Sequence, residues 1–203
     1  MIHGLTIRAY RGEEAQPFLA DLAQLRLQIF REYPYLYEGD LAYETEYATS
    51  YRNCPDSILV VAQDQGKVIG ISTAFPLVSA MSKKMELNKA FADHPHPMSD
   101  YFYFGESVLL PQYRGSGIYK EFFRYREAAA LRHGCNRSLF MAIDRPATHP
   151  AAPEGYESLE PMWHRFNYQK EPKLVANYLW KEVGATEETE HTMVGWSKTL
   201  QAP

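Results

Sequence analysis

The passage "YFYFGESVLLPQYRGSGIYKEFFRYREAAALRHG", residues 101–134, constrains this chain more than any other. Residues 101–110 have strongly β-forming character and run into Pro111, then into Gly115 and Gly117, before a helical pattern begins. Beyond the glycines, Ile118, Phe122, Tyr125 and Ala129 fall on one helical face, and Gly134 stands where a helix ends in the left-handed conformation. "RSLFMAI", 137–143, follows as another apolar strand, so the passage reads as a β-α-β unit with glycines at its strand-to-helix turn. Glycine there allows a tight bend or the close approach of a ligand to the backbone. A helix start has unpaired N–H groups and partial positive charge, so the ligand it suits is an anion.

Around this unit the chain alternates strand and helix. "LTIRAY", 5–10, reads as a first strand, and a helix is expected from about Glu13 to Arg31, where Phe18, Leu22, Leu25, Ile29 and Phe30 recur at helical spacing. The Pro/Tyr segment 33–38 breaks it, and a second short helix is expected over 40–51. "SILVVAQD", 57–64, and "KVIGISTAF", 67–75, read as a hairpin turning at "QDQG". A long connection, 76–100, carries a short helix around 83–92. After 143 come a Pro-rich loop, a short helix around 159–166, and two strands at 173–182 and 191–199. The order β-α-α-β-β, β-α-β, α-β-β describes a mixed α/β domain.

Composition excludes several function classes. With 21 basic and 25 acidic residues the formal charge is −4, which gives no support to nucleic-acid binding. Cys54 and Cys135 have neither metal-ligand nor disulfide-framework spacing, and a reducing cytoplasm is the expected home. The start "MIHGLTIRAYRGEE" lacks the apolar core of a signal peptide, and no segment approaches a membrane span. His94 and His96 in "DHPHP" read as solvated loop histidines, so no metal is expected. Among the 15 tyrosines, Tyr33, Tyr35 and Tyr37 crowd into "REYPYLYEGD", which suits a half-buried surface or a ligand cleft.

Two common phosphate loops do not fit. A Walker loop closes with Gly-Lys-Ser/Thr, whereas Ile118 follows Gly117 here; a dinucleotide fingerprint needs a third glycine where Lys120 stands. Leu109-Leu110-Pro111-Gln112-Tyr113 followed by Arg114-Gly115-Ser116-Gly117-Ile118-Tyr119 resembles the signature of the GCN5-related N-acetyltransferases, Arg/Gln-x-x-Gly-x-Gly/Ala after Val-x-Pro-x-Tyr. Tyr119 departs from it, standing where the family has a small residue. The element order matches the family's along nearly the whole chain. The resemblance implies one domain, 1–203, with a mostly antiparallel sheet of about seven strands around a β-α-β unit that binds acetyl-CoA.

The resemblance also implies a chemistry: transfer of the acetyl group to a primary amine of a small acceptor, by direct attack in a ternary complex. Arg114, Gly115, Ser116, Gly117, Ile118 and Tyr119 would hold the pyrophosphate, with Ser107, Val108 and Leu109 lining the pantetheine slot. Glu106, at a position often acidic in the family, would take the ammonium proton. Tyr33, Tyr35 and Tyr37, together with Asp144, Arg145 and His149, would recognise the acceptor, an amine that is aromatic or bears an acidic group. Where many members carry a tyrosine that protonates the leaving thiolate, this chain has Trp163, and Tyr156, Tyr168, His149 or a water would have to replace it. The same departures allow another reading, a non-catalytic acyl-CoA-binding or sensor module. Edge-strand pairing of the family's kind would make a homodimer.

Overall fold

Alternation along the central strands decides the layering. In β2 (Ile58–Asp64), Leu59 and Val61 join one buried cluster while Ile58, Val60 and Ala62 join another. Side chains on a strand point alternately to opposite faces, so a strand apolar at every position must be covered on both. The computed structural model describes residues 4–79, 81, 87–146 and 148–201 and supplies both covers. Helices α1 (Leu19–Phe30) and α2 (Leu41–Arg52) pack on one face; α4 (Ile118–His133) and α5 (Glu160–Arg165) on the other. Between them in the chain comes α3 (Leu87–Ala90), a single turn.

The sheet has seven strands in the order β1-β2-β3-β4-β5-β7-β6. They are β1 (Leu5–Tyr10), β2, β3 (Lys67–Pro76), β4 (Tyr101–Leu109), β5 (Arg137–Ile143), β6 (Gln169–Lys181) and β7 (Glu188–Thr199). Five neighbouring pairs are antiparallel; β4 and β5, joined by the crossover helix α4, are parallel. This is the mixed, mostly antiparallel sheet expected from the sequence. Among the described residues no helix is long and apolar enough to cross a membrane.

Two departures from regular pairing shape the middle of the sheet. β4 pairs with β5 only from Tyr101–Arg137 to Tyr103–Leu139, after which the strands part. On its other side β4 carries a bulge against β3: Ala74 faces Phe104 and Ser72 faces Ser107, so Thr73 alone opposes Gly105 and Glu106. The extra residue reverses the alternation. Tyr101 and Tyr103 face α1 and α2, and beyond the bulge that face passes to Val108.

Several expected boundaries shift for local reasons. The helix expected over 13–31 divides into a 3-10 segment, Gly12–Phe18, and α1, with Pro17 inside the former, where the missing N–H is tolerated. The hairpin turn holds Gln65 at φ 48° and Gly66 at φ 82°, a two-residue loop of the kind that matches strand twist. The last two strands begin earlier than expected: β6 continues through a bulge between Glu171 and Val175, the stretch containing Pro172, and Glu188 to Glu190 of β7 pair with Lys181 to Leu179. Of the helix expected around 83–92, Leu87–Ala90 is formed and 83–86 lie outside the described residues.

Phe122 is fully buried where α4 meets the sheet. Phe122→Ala is expected to cost roughly 3–5 kcal/mol of folding free energy, read as a lower denaturant midpoint.

Candidate active site

Glu106 lies just past the bulge, on an apolar strand, and is 5% exposed. Such a carboxylate needs a counter-charge. Arg26 of α1 supplies it, donating from Nη1 to Oε2 at 2.8 Å, while its Nε bonds to the fully buried Glu44 of α2. Tyr47 donates to the same Oε2 at 2.8 Å, and the Arg26 guanidinium lies 4.0 Å from the Tyr47 ring centre. Tyr51 hydrogen-bonds Tyr47 at 3.0 Å and Thr73 at 2.8 Å. Glu44, Tyr47 and Tyr51, spaced three and four apart, bring these groups to one face of α2.

The two carboxylates keep the guanidinium between them charged. Burial disfavours the charged Arg26, but Glu106, Tyr47 and Glu44 outweigh it and raise its pKa well above the usual value. Burial, then the Glu106 charge, raises the Tyr47 hydroxyl as well, so it stays a donor. Glu106 Oε1 is buried and has no hydrogen-bond partner. Gly105 permits the arrangement: a Cβ there would lie 2.5 Å from Thr73 Oγ1 and 2.7 Å from the Tyr51 hydroxyl.

Glu106 forms part of the wall of a cavity of about 840 Å³ between α1, α2 and the end of the β6–β7 hairpin. Tyr35 and Tyr37 line it too. They are held there by backbone pairing of the 33–38 segment with the hairpin: Glu38 N–H donates to the Lys181 carbonyl at 2.8 Å and Val183 N–H to that of Leu36 at 2.7 Å. Trp180 Nε1 also donates to the Tyr35 carbonyl at 3.1 Å. Burial, the largest influence, raises the pKa of both tyrosines. Tyr33 instead donates to the Pro146 carbonyl at 2.6 Å and packs against Tyr156 and His149, securing the loop after β5.

Asp144, Arg145 and His149 are not brought to the cavity wall. Asp144 is exposed and pairs with Lys170 at 3.1 Å. Arg145 bonds Glu182 and approaches His191 Nδ1 at 3.1 Å, tying the loop after β5 to the hairpin. His191 stacks on Trp180, and burial pushes its imidazole below the usual value against the opposing pull of the Trp180 carbonyl and Glu182. Trp163 packs on Phe140 and Trp196, each at 5.0 Å between ring centres. Tyr168 is fully buried, its hydroxyl shared with Ser138 and Glu127.

The glycine loop reaches the other side of β4. Gly115 at φ 76° and Gly117 at φ 88° are left-handed, and a Cβ built on either meets nothing within 4 Å. Glycine is therefore required by the backbone, and the space before the first N–H groups of α4 is open to an anion. Tyr113 anchors the loop by donating to Asp64 Oδ2 at 2.9 Å. Arg114 points its exposed guanidinium to Glu32 at 2.7 Å. Ile118, Val108 and Leu109 bury their side chains, so only their backbone is available to a ligand. Ser107 meets Ser72 side chain to side chain at 2.8 Å, and the Tyr119 hydroxyl donates to the Ser107 carbonyl at 3.0 Å. The unusual tyrosine thus lies along β4, against the strand expected to line the pantetheine slot. Among the described residues no group of three or more His, Cys, Asp or Glu side chains is placed to hold a metal ion.

Arg26, Glu44, Tyr47, Gly105 and Trp180 were not singled out in the sequence. Only helical spacing offered a signal: Arg26 follows Leu22 by four residues on the buried side of α1.

Residues 21–153 match the model of the acetyltransferase (GNAT) family. No curated protein matches the chain. Among solved structures, a protein from Salmonella typhimurium, classed as an acetyltransferase and solved with its cofactor acetyl-CoA, superposes with a TM-score of 0.61. It is 10% identical over 99% of this chain and 96% of its own. A ribosomal-protein-alanine N-acetyltransferase from Brucella melitensis scores 0.59 at 14% identity, over 96% of this chain and 99% of its own. A GCN5-related N-acetyltransferase from Kribbella flavida scores 0.55 at 15% identity, over 97% and 98%. At such identities the likeness is one of fold.

Arg26→Met would leave Glu44 and Glu106 buried without their shared cation. A loss of roughly 3–5 kcal/mol is expected by chemical denaturation. Adding Glu44→Gln should recover part of that loss, as coupled partners do; strict additivity of the two changes would contradict the bridge.

Proposed function

Because the chain belongs to the acetyltransferase (GNAT) family, we propose that it transfers the acetyl group of acetyl-CoA to a primary amine of a small-molecule acceptor by direct attack in a ternary complex. One observation carries this reading: the open glycine loop and the cavity holding Glu106 are both anchored on β4, whose far half is free of β5.

When bound, acetyl-CoA supplies a thioester carbonyl that an amine attacks, with the C–S bond breaking and CoA leaving. The N–H groups of Gly115 to Tyr119 would hold the pyrophosphate, with help from the dipole of the 16-residue helix α4. Arg114 would contribute after leaving Glu32, as a side-chain cation at a solvated phosphate. The parted edge of β4 offers backbone groups to the pantetheine arm, and Tyr119 would release the Ser107 carbonyl as the arm enters. Glu106 would accept the ammonium proton at Oε1, because Arg26 and Tyr47 occupy Oε2. Trp163 packs against Phe140 and Trp196, Tyr168 is fully buried, and Tyr156 and His149 pack on Tyr33, so the departing thiolate would take its proton from water.

The placement of Arg145 against Glu182 withdraws the cation that an acidic acceptor would need. A second reading, acyl-CoA binding without turnover, is favoured by Trp163 in the acid's position and by the Arg26 ion pair on Glu106. Release of CoA in the presence of an amine excludes it.

Gly117→Val should weaken CoA binding in calorimetry, since a β-branched residue resists the left-handed conformation that aims the N–H groups. Unchanged affinity would contradict the loop assignment.

Glu106→Gln should lower kcat at least about tenfold with CoA affinity little changed, in line with general-base contributions of about 10²–10⁴. The defect should shrink as pH rises and more amine arrives unprotonated. A defect that stays flat across the neutral range would point to substrate binding, and normal turnover with a lower melting temperature to a structural carboxylate.

A further inference from the structure

The cavity around Glu106 has a charge pattern that the acetyl-transfer chemistry does not itself require. Its charged lining consists of four carboxylates, Glu38, Asp40, Glu106 and Glu188, against two cations, Arg26 and Lys181. Arg26 is spent on Glu44 and Glu106, so it offers little to an incoming anion. Burial sorts the carboxylates by depth. Glu106, with a side chain 3% exposed, forms the floor, whereas Asp40 and Glu188 are exposed at the mouth beside half-buried Glu38. Asp40 uses one oxygen to cap α2, accepting from Tyr43 N–H at 2.9 Å, and Glu38 pairs with the exposed Arg31. Glu188 has neither duty among the described bonds, and lies across the β6–β7 register from Lys181. Between floor and mouth the walls are aromatic, with Tyr35, Tyr37, Tyr47 and Trp180. Such walls accept methylene groups and attract cations to their faces.

Two sites for cationic nitrogen therefore lie along one aromatic channel. The inner one is the unpartnered Glu106 Oε1, a buried carboxylate oxygen that an ammonium group would satisfy. The outer one is the acidic mouth, where a second ammonium would meet Glu188 and Asp40. An acceptor with a carboxylate at that end would face Glu38, Asp40 and Glu188, with the cation Lys181 beside them.

Resting on the acetyl-transfer reading, we propose that the acceptor is a diamine or polyamine: an alkyl chain whose reacting nitrogen reaches Glu106 and whose second, still cationic nitrogen is held at the mouth. The mouth carboxylates set selectivity, and Glu106 does the same work for any amine that arrives.

The test is a calorimetric titration of the protein, free and CoA-bound, with 1,4-diaminobutane, spermidine, butylamine and 4-aminobutanoate, which share a four-carbon spacing. The diamine and spermidine should bind at least about tenfold more tightly than butylamine, the scale of one or two half-exposed ion pairs, and 4-aminobutanoate more weakly than either. That preference should shrink in Glu188→Gln and in Asp40→Asn, where asparagine still caps α2. Equal binding of butylamine, a preference for 4-aminobutanoate, or an undiminished preference in both variants overturns the acceptor class and leaves acetyl transfer standing. If CoA fails to bind, the acetyl-transfer reading falls instead, and the titrations of the free protein still decide the class of amine.

Discussion

One guanidinium shared by two buried carboxylates holds this site together. Glu44 on α2 and Glu106 on β4 are both nearly inaccessible to water, and Arg26 on α1 touches each. Without that cation, two negative charges would lie close together in a poorly solvated layer. With it, two helices and the central strand are fixed relative to one another, and one oxygen of Glu106 is left over. The Tyr47 and Tyr51 hydroxyls extend the bridge to Thr73 on β3, so neighbouring strands also take part. The position of the candidate base follows from this bridge and from the bulge that turns Glu106 towards it.

The parting of β4 and β5 shapes the other border of the same strand. A crossover helix that begins in a left-handed glycine leaves its first N–H groups facing open space beside the free half of β4. The glycine loop and the aromatic cavity thus both border one strand. Tyr119, with its hydroxyl on the Ser107 carbonyl, reaches from the helix to that free strand half.

The wall of the cavity comes from segments distant in sequence. The tyrosine-rich turn is attached to the β6–β7 hairpin by Glu38–Lys181 and Leu36–Val183 backbone bonds, and Arg145 fastens the loop after β5 to the same hairpin. Arg145 thereby acts on the cavity through the hairpin. Tyr33 performs a similar task from the opposite end, bonded to Pro146. Of the crowded tyrosines, Tyr35 and Tyr37 face the cleft and Tyr33 braces a loop, a division that their even spacing does not reveal.

The sequence by itself determined what depends on local periodicity and backbone chemistry. The apolar runs of β2 to β5, the amphipathic α4, and the left-handed positions at Gly115, Gly117 and Gly134 are each legible from a few consecutive residues. Together they give the order of elements, the family and the loop open to an anion. Tertiary structure decided what depends on register and charge pairing. Alternation carried on from Tyr101 to Phe104 would turn Glu106 towards α4; one extra residue opposite Thr73 turns it towards Arg26 instead. That Arg26, rather than any nearer cation, answers Glu106 across 80 positions depends on how α1 lies on the sheet. A bulge and a long-range ion pair leave no trace in spacing, because each is set by the balance of burial and charge among segments that meet only after the chain has folded.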